Sequence, residues 1–283
     1  MNNTTHDHYS EYPEGGKRAE GGRSAAPNRR RRRRKKQGRG LYYLILLVLL
    51  GVLVFSAVKI ISYFKQQADA SNEQQTVADT YTKPKPDDSK KDTAADGSSD
   101  PDSIDVDFKQ LCADYPDVVG YIYSANTNIK YPIQFGKGND YYLKHDSKGT
   151  ENNNGSIFVE ELNSGSFTDN NTIIYGHNMK SGMMFANLTL YKDKSYYASH
   201  PYLYIYTPSQ NYRLDLYAGF VCEHDDEVYA TSLTQDQLKA MAGKSTFVSN
   251  VGVPSGKTVT LSTCSYEFDN ARYVVVGSLV PIS

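Results

Sequence analysis

Cysteine is scarce in this chain: 283 residues hold three, Cys112, Cys222 and Cys264. An odd number in an apparently extracytoplasmic domain implies no disulfide framework, and it flags an unpaired thiol as a candidate reactive group. Tryptophan is absent, and 24 tyrosines carry most of the aromatic content, a composition that suits strands. No His/Cys pair has the spacing of zinc ligands, and no glycine-rich phosphate loop occurs. No metal and no cofactor is therefore expected. Internal repeats are also lacking.

The net charge is only −1, but it is unevenly spread. Residues 1–40 carry 12 Lys+Arg against 4 Asp+Glu, so the remainder is strongly acidic. Such asymmetry points to two compartments. Its boundary is the run "LYYLILLVLLGVLVFSAV", Leu41–Val58, 18 residues without a charge. A helix of that length spans about 27 Å, and with Ile60–Phe64 it reaches hydrocarbon thickness, Lys59 snorkelling to the headgroups. The basic run Arg29–Lys36 precedes it. By the positive-inside bias the N-terminus is cytoplasmic and everything beyond about residue 65 is outside. A nucleic-acid role for the basic run is the weaker reading, so no nucleic-acid partner is expected. "ADA" at Ala68–Ala70 fits a signal-peptidase site, but the apolar stretch is long for a cleaved signal and reads as a retained anchor.

Four regions follow: a basic, disordered cytoplasmic tail (1–40), a transmembrane anchor (41–64), a solvated linker (65–103) and a folded domain (104–283). The linker is assigned from the polar, Pro-, Asp- and Lys-rich composition of "KPKPDDSKKD" and its neighbours. The domain opens with a short amphipathic helix ending before Pro116, with Cys112 as a small core residue. Eight strand-like runs follow: "VVGYIYS", "IKYPIQF", "GSIFVEE", "NTIIYGH", "YLYIYTP", "YRLDLYAGFVCE", "TVTLSTC" and "RYVVVGSLV". They predict a closed barrel or a sandwich. In the connection from about Asp225 to Lys257, Thr234 and Gln237 form a capping box with Leu233 and Leu238 as its staple, predicting a helix that stops at Gly243.

Cys264 ends one strand and Arg272 begins the next. Alternation puts Thr260, Ser262 and Cys264 on one face and Val259, Leu261 and Thr263 on the other. If the two strands are neighbours, the guanidinium can lower the pKa of the thiol or donate to an oxyanion. Arginine cannot act as base, so a histidine is required. His177 closes an apolar strand and opens into a loop, where scaffolds present reactive groups. His145, His200 and His224 sit in polar turns and read as surface residues. Cys222 reads as inert packing, and the acidic run Glu223–Glu227 as a solvated loop.

"TLSTC" followed by Arg272, with "IIYGHNM" upstream, resembles the sortases, membrane-anchored cysteine transpeptidases of Gram-positive bacteria. "DFKQLCADYPDVVGYI", "NDYYLKHD", "GSIFVEE" and "IIYGHNMKSGMMFANL" are similar to class B members. The resemblance implies a mainly β fold: an eight-stranded closed sortase-type barrel with N-terminal helices and one helix in the long connection before the catalytic strand. It implies Cys264 as nucleophile, His177 as general acid and base, Arg272 as the oxyanion- or substrate-stabilising group, and a substrate contact at Thr263. It also implies the partners: secreted proteins with a C-terminal sorting signal cut after threonine, and an amine of the peptidoglycan precursor. Water as acceptor would make it a hydrolase. A pilin-polymerising sortase, or a non-catalytic extracellular binding domain, are the alternative readings. A papain-like hydrolase is disfavoured by the order His before Cys, and an L,D-transpeptidase by the wide Cys–Arg spacing.

Overall fold

A computed structural model describes residues 38–85 and 103–282. The tail to residue 37, with its basic run, and linker residues 86–102 lie outside the described residues. Two units are distinguished, Met1–Phe55 and Ser56–Ser283. In the first, the described residues are helical and, from Arg39 onward, exposed, with large apolar side chains such as Leu47, Leu53 and Phe55 presented outward. They belong to helix α1, Gly38–Tyr81.

The second unit corrects the linker expectation. Residues 65–81 are helical rather than solvated coil, and Val77 and Tyr81 are buried, at 2% and 8% exposure. The polar composition hides a helical stripe: Ala70, Val77, Ala78 and Tyr81 share one face, and the intervening Gln and Ala residues favour helix. Polar side chains fasten the segment further. Gln67 Nε2 donates to Asn154 Oδ1 at 2.9 Å, and Gln74 Nε2 to the Asn128 carbonyl at 2.8 Å. Strand β1, Thr82–Pro84, then pairs antiparallel with β2, Ile104–Val106. Helix α2, Phe108–Asp114, stops before Pro116 as expected, capped by Asp107.

The eight runs form eight strands: β3 Val118–Tyr123, β4 Lys130–Gln134, β5 Ile157–Val159, β6 Asn171–Tyr175, β7 Tyr202–Tyr206, β8 Asn211–Cys222, β9 Thr258–Cys264 and β10 Arg272–Ile282. They close into a barrel of order β10-β8-β7-β3-β4-β5-β6-β9. The pairs β4/β5 and β6/β9 are parallel. An eight-stranded barrel leaves an interior that side chains fill. Here Ile133, Ile174, Leu203, Leu214, Val259, Leu261, Tyr273 and Val275 fill it.

Short helices α3 (Asn139–Tyr142) and α4 (Lys194–Ser199) interrupt the connections. The predicted helix is α5, Gln235–Lys244, and its capping box is present. It runs through Gly243 to Lys244, because Ser245 caps it in an extended conformation that needs no glycine. Leu238 and Met241 of α5 pack on Ala218, Phe220, Val274 and Val276, the outward set of β8 and β10. Alternation along β10 thus divides it: Tyr273 and Val275 face the filled interior, while Arg272, Val274 and Val276 face outward.

Candidate active site

That division decides where the chemistry can be. Arg272 is the cross-strand partner of Cys264 on β9, and Val274 of Ser262. Directly opposed residues share a face, with Cβ atoms about 5 Å apart, so the thiol and the guanidinium lie together on the outer wall. The parallel pair β6/β9 sets Tyr175 opposite Ser262. Gly176 N donates to Ser262 O at 3.1 Å, which carries His177 to the level of Cys264. A Cβ on Gly176 would overlap Ile157 and Phe185, so the residue before the histidine must be glycine for β6 to pack this closely.

The expected residues converge. One cleft of about 670 Å³, open to solvent, is lined by His177, Thr263, Cys264 and Arg272 together with Asn139, Leu143, Phe158, Tyr175, His224, Tyr229 and Ser262. His177 Nε2 donates to the Leu143 carbonyl at 2.9 Å. A carbonyl only accepts, so Nε2 carries a hydrogen. Asn178 Nδ2 donates to the Cys264 carbonyl at 2.8 Å, tying the histidine segment to the end of β9. The Thr263 hydroxyl donates to Gly176 O at 2.7 Å and is buried. Its side chain is therefore a fastener between β9 and the histidine turn. Arg272 Nη1 donates to the carbonyls of Asn270 and Ala271, each at 3.1 Å.

One wall is aromatic. Phe158, Tyr175 and Tyr229 line it, and the buried Tyr142 stacks on Phe158, with successive ring centroids 5.6, 5.4 and 6.1 Å apart from Tyr142 to Tyr229. Tyr175 donates to Glu160 Oε2 at 2.9 Å, and Tyr229 and Ser262 share a hydrogen bond of 2.8 Å. Burial holds both phenols well above their ordinary pKa. They stay neutral, which leaves Arg272 as the cation facing them.

The remaining cysteines and histidines separate cleanly. Cys222 is buried, and burial pushes its thiol up to about 12. Cys112 is half-buried, its Sγ 3.6 Å from Val118 O, and burial raises its pKa. His145 and His200 each stack on a tyrosine four residues earlier and bond its carbonyl. His224 is exposed as expected, yet it borders the cleft. Asn139 and Leu143 were not expected at the site, because helix α3 and its C-cap, remote in sequence from Cys264, bring them. Ser262 and Tyr175 did carry a signal: each lies two residues before an expected site residue, Cys264 or His177, on its face.

A family model described as the sortase domain matches residues 126–280. Sortase B of Listeria monocytogenes is 36% identical over 247 residues, covering 83% of this chain and 94% of the relative. Solved structures agree. Sortase B of Staphylococcus aureus superposes with a TM-score of 0.58 at 30% identity, over 63% of this chain and 88% of that one. Sortase B of B. anthracis gives 0.62 at 29% identity, over 77% and 99%. With a closed eight-stranded barrel and a Cys, His and Arg gathered on its outer wall, the chain belongs to the sortase family of cysteine transpeptidases, on the class B branch.

Proposed function

We propose that this sortase cuts a C-terminal sorting signal after threonine and joins the surface protein to an amine of the cell-wall precursor. The carrying observation is that His177, Cys264 and Arg272, remote in sequence, line one cleft. The Cys264 thiolate attacks the threonyl carbonyl, forming a C–S bond. Collapse of the tetrahedral species breaks the C–N bond, and His177 gives its proton to the leaving amine. The acceptor amine then attacks the thioester, passes a proton to His177 and expels the thiolate. Because Nε2–H is committed to Leu143, Nδ1 is the nitrogen that exchanges the proton. Arg272 uses Nη1 on its own loop, leaving Nε and Nη2 for the oxyanion or the peptide carbonyl. Water in place of the amine gives hydrolysis. Contact between Thr263 and substrate falls to its backbone, since its hydroxyl is occupied.

The apolar part of α1, residues 41–64, serves as a single membrane anchor with the N-terminus cytoplasmic and the barrel outside. It includes an 18-residue window of mean hydropathy 2.9, and Arg29–Lys36 supplies the inner positive charge.

A library of fluorogenic sorting peptides, incubated with the full chain and an amine acceptor, tests the reading. Expected are one preferred peptide, a thioacyl mass adduct on Cys264 and an amide product with the acceptor. Turnover by Cys264→Ala equal to the parent would remove the mechanism. Protease accessibility in oriented vesicles tests the topology separately.

A further inference from the structure

The connection between β9 and β10, residues 265–271, carries Cys264 at one end and Arg272 at the other. Ser265 N donates to Ala271 O at 2.9 Å and closes it. At its start, Ser265 Oγ accepts from Lys192 Nζ at 2.8 Å and donates to Glu267, which also pairs with Lys192. At its end, Asn270 adopts φ 61, and the Asn270 and Ala271 carbonyls receive Arg272 Nη1. Lys192 comes from elsewhere. It ends the 3-10 turn Ala186–Lys192, which follows the histidine segment, and Phe185 N donates to His177 O at 2.9 Å. Its ammonium also lies 5.2 Å from the ring of Tyr273, the neighbour of Arg272.

We infer that Lys192 and Glu267 are positioning residues: their ion pair fixes the 265–271 connection against the histidine segment, and the connection's carbonyls aim Arg272 into the cleft. The inference rests on the role proposed for Arg272. The pair is partly exposed, 34% and 40%, so it adds little to stability. Its consequence is geometric, and displacements near 1 Å can cost about a hundredfold in rate. Hydrogen bonds from Lys192 and Ser265 hold the Glu267 carboxyl down to about 2, so the brace is ionised throughout the neutral range.

A double-mutant cycle on the full chain decides the matter, with kcat and KM for the donor peptide as readouts. Lys192→Met should lower kcat about tenfold with KM within about twofold and the unfolding midpoint nearly unchanged. Lys192→Arg should recover most of the loss. In an Arg272→Ala background the Lys192→Met cost should shrink to less than about twofold, because the group it aims is gone. An equal cost in both backgrounds, or no cost in the parent, overturns the inference. If Lys192→Met does not fold, Glu267→Gln carries the same cycle. If Arg272→Ala alone keeps full activity, the role proposed for Arg272 fails first and the inference falls with it.

Discussion

Cys222 and Cys264 each end a strand, and each is the cross-strand partner of Arg272, one on either side of β10. They share a face, a row and a neighbouring cation, yet only one lies in a position to react. Cys222 sits in the apolar cluster of Phe220, Val228, Leu238 and Met241. Burial is the largest influence on its thiol, Asp226 adds to it, and the Arg272 cation opposes both without offsetting them. Cys264 borders the open cleft, beside the parallel strand that brings His177. On the proposed mechanism, the strand alone is therefore not what would make one of these thiols the nucleophile. The cover over β8, made by residues 223–229 and α5, silences one side. The β6 seam brings His177, the proposed proton carrier, to the other.

Removing each thiol in turn gives the sharpest contrast. Cys264→Ala should abolish amine transfer, a loss of more than about a thousandfold in kcat/KM measured by product chromatography. Cys222→Ala should keep activity within about twofold while lowering stability by about 1 kcal/mol in urea titration. A large activity loss from Cys222→Ala would mean the covered thiol takes part after all.

The cation between them comes next. Arg272→Ala should cost about a hundredfold or more in kcat/KM, the scale of losing an oxyanion donor. Arg272→Lys should restore little, since a point charge replaces a planar fork. Full rescue by lysine would show that charge alone suffices. It would place the function of Arg272 in the field it exerts on Cys264 rather than in directed hydrogen bonds.

Much of this asymmetry was legible in the sequence. The eight Val-, Ile- and Tyr-rich runs map one to one onto the barrel strands, because half-buried strands write their period directly into the residues. The Thr234–Gln237 box located α5 for a similarly local reason. What stayed hidden was non-local. The cover over Cys222 depends on α5 folding back onto β8. The carbonyl that holds His177 comes from Leu143, 34 residues earlier. The helix through Tyr81 hid among glutamines because Val77 and Tyr81 are too few to announce a buried face.

Thiol titration probes the same pair by pH. A charged methanethiosulfonate reagent should modify Cys264 selectively in the folded chain, mapped by peptide mass. A thiol at about 12 is ionised to about one part in ten thousand at pH 8, so Cys222 should resist until the protein unfolds. The raised value also affects stability. Below the unfolded thiol pKa the contribution is complete, and it is lost as pH rises from about 8.5 toward about 12. Cys222→Ala should flatten that alkaline decline. Labelling of Cys222 at the rate of Cys264 would sink the account of its cover.

The smallest effect lies at the acid end, in the connection between β9 and β10. Glu267 is depressed to about 2, first by its hydrogen bond from Lys192 and then by that from Ser265. A depressed carboxylate stabilises the fold above its unfolded pKa, so the contribution is present above about 4.5. It is lost as pH falls through about 2. The pair is partly exposed, and solvent screening holds the expected difference below about 1 kcal/mol. Glu267→Gln should therefore weaken the dependence of the urea midpoint on pH between about 4.5 and about 2, and leave the alkaline decline set by Cys222 untouched. Curves that superpose in acid would mean Lys192 and Glu267 are not paired in solution, and the connection carrying Cys264 and Arg272 would then be held by its backbone bonds alone.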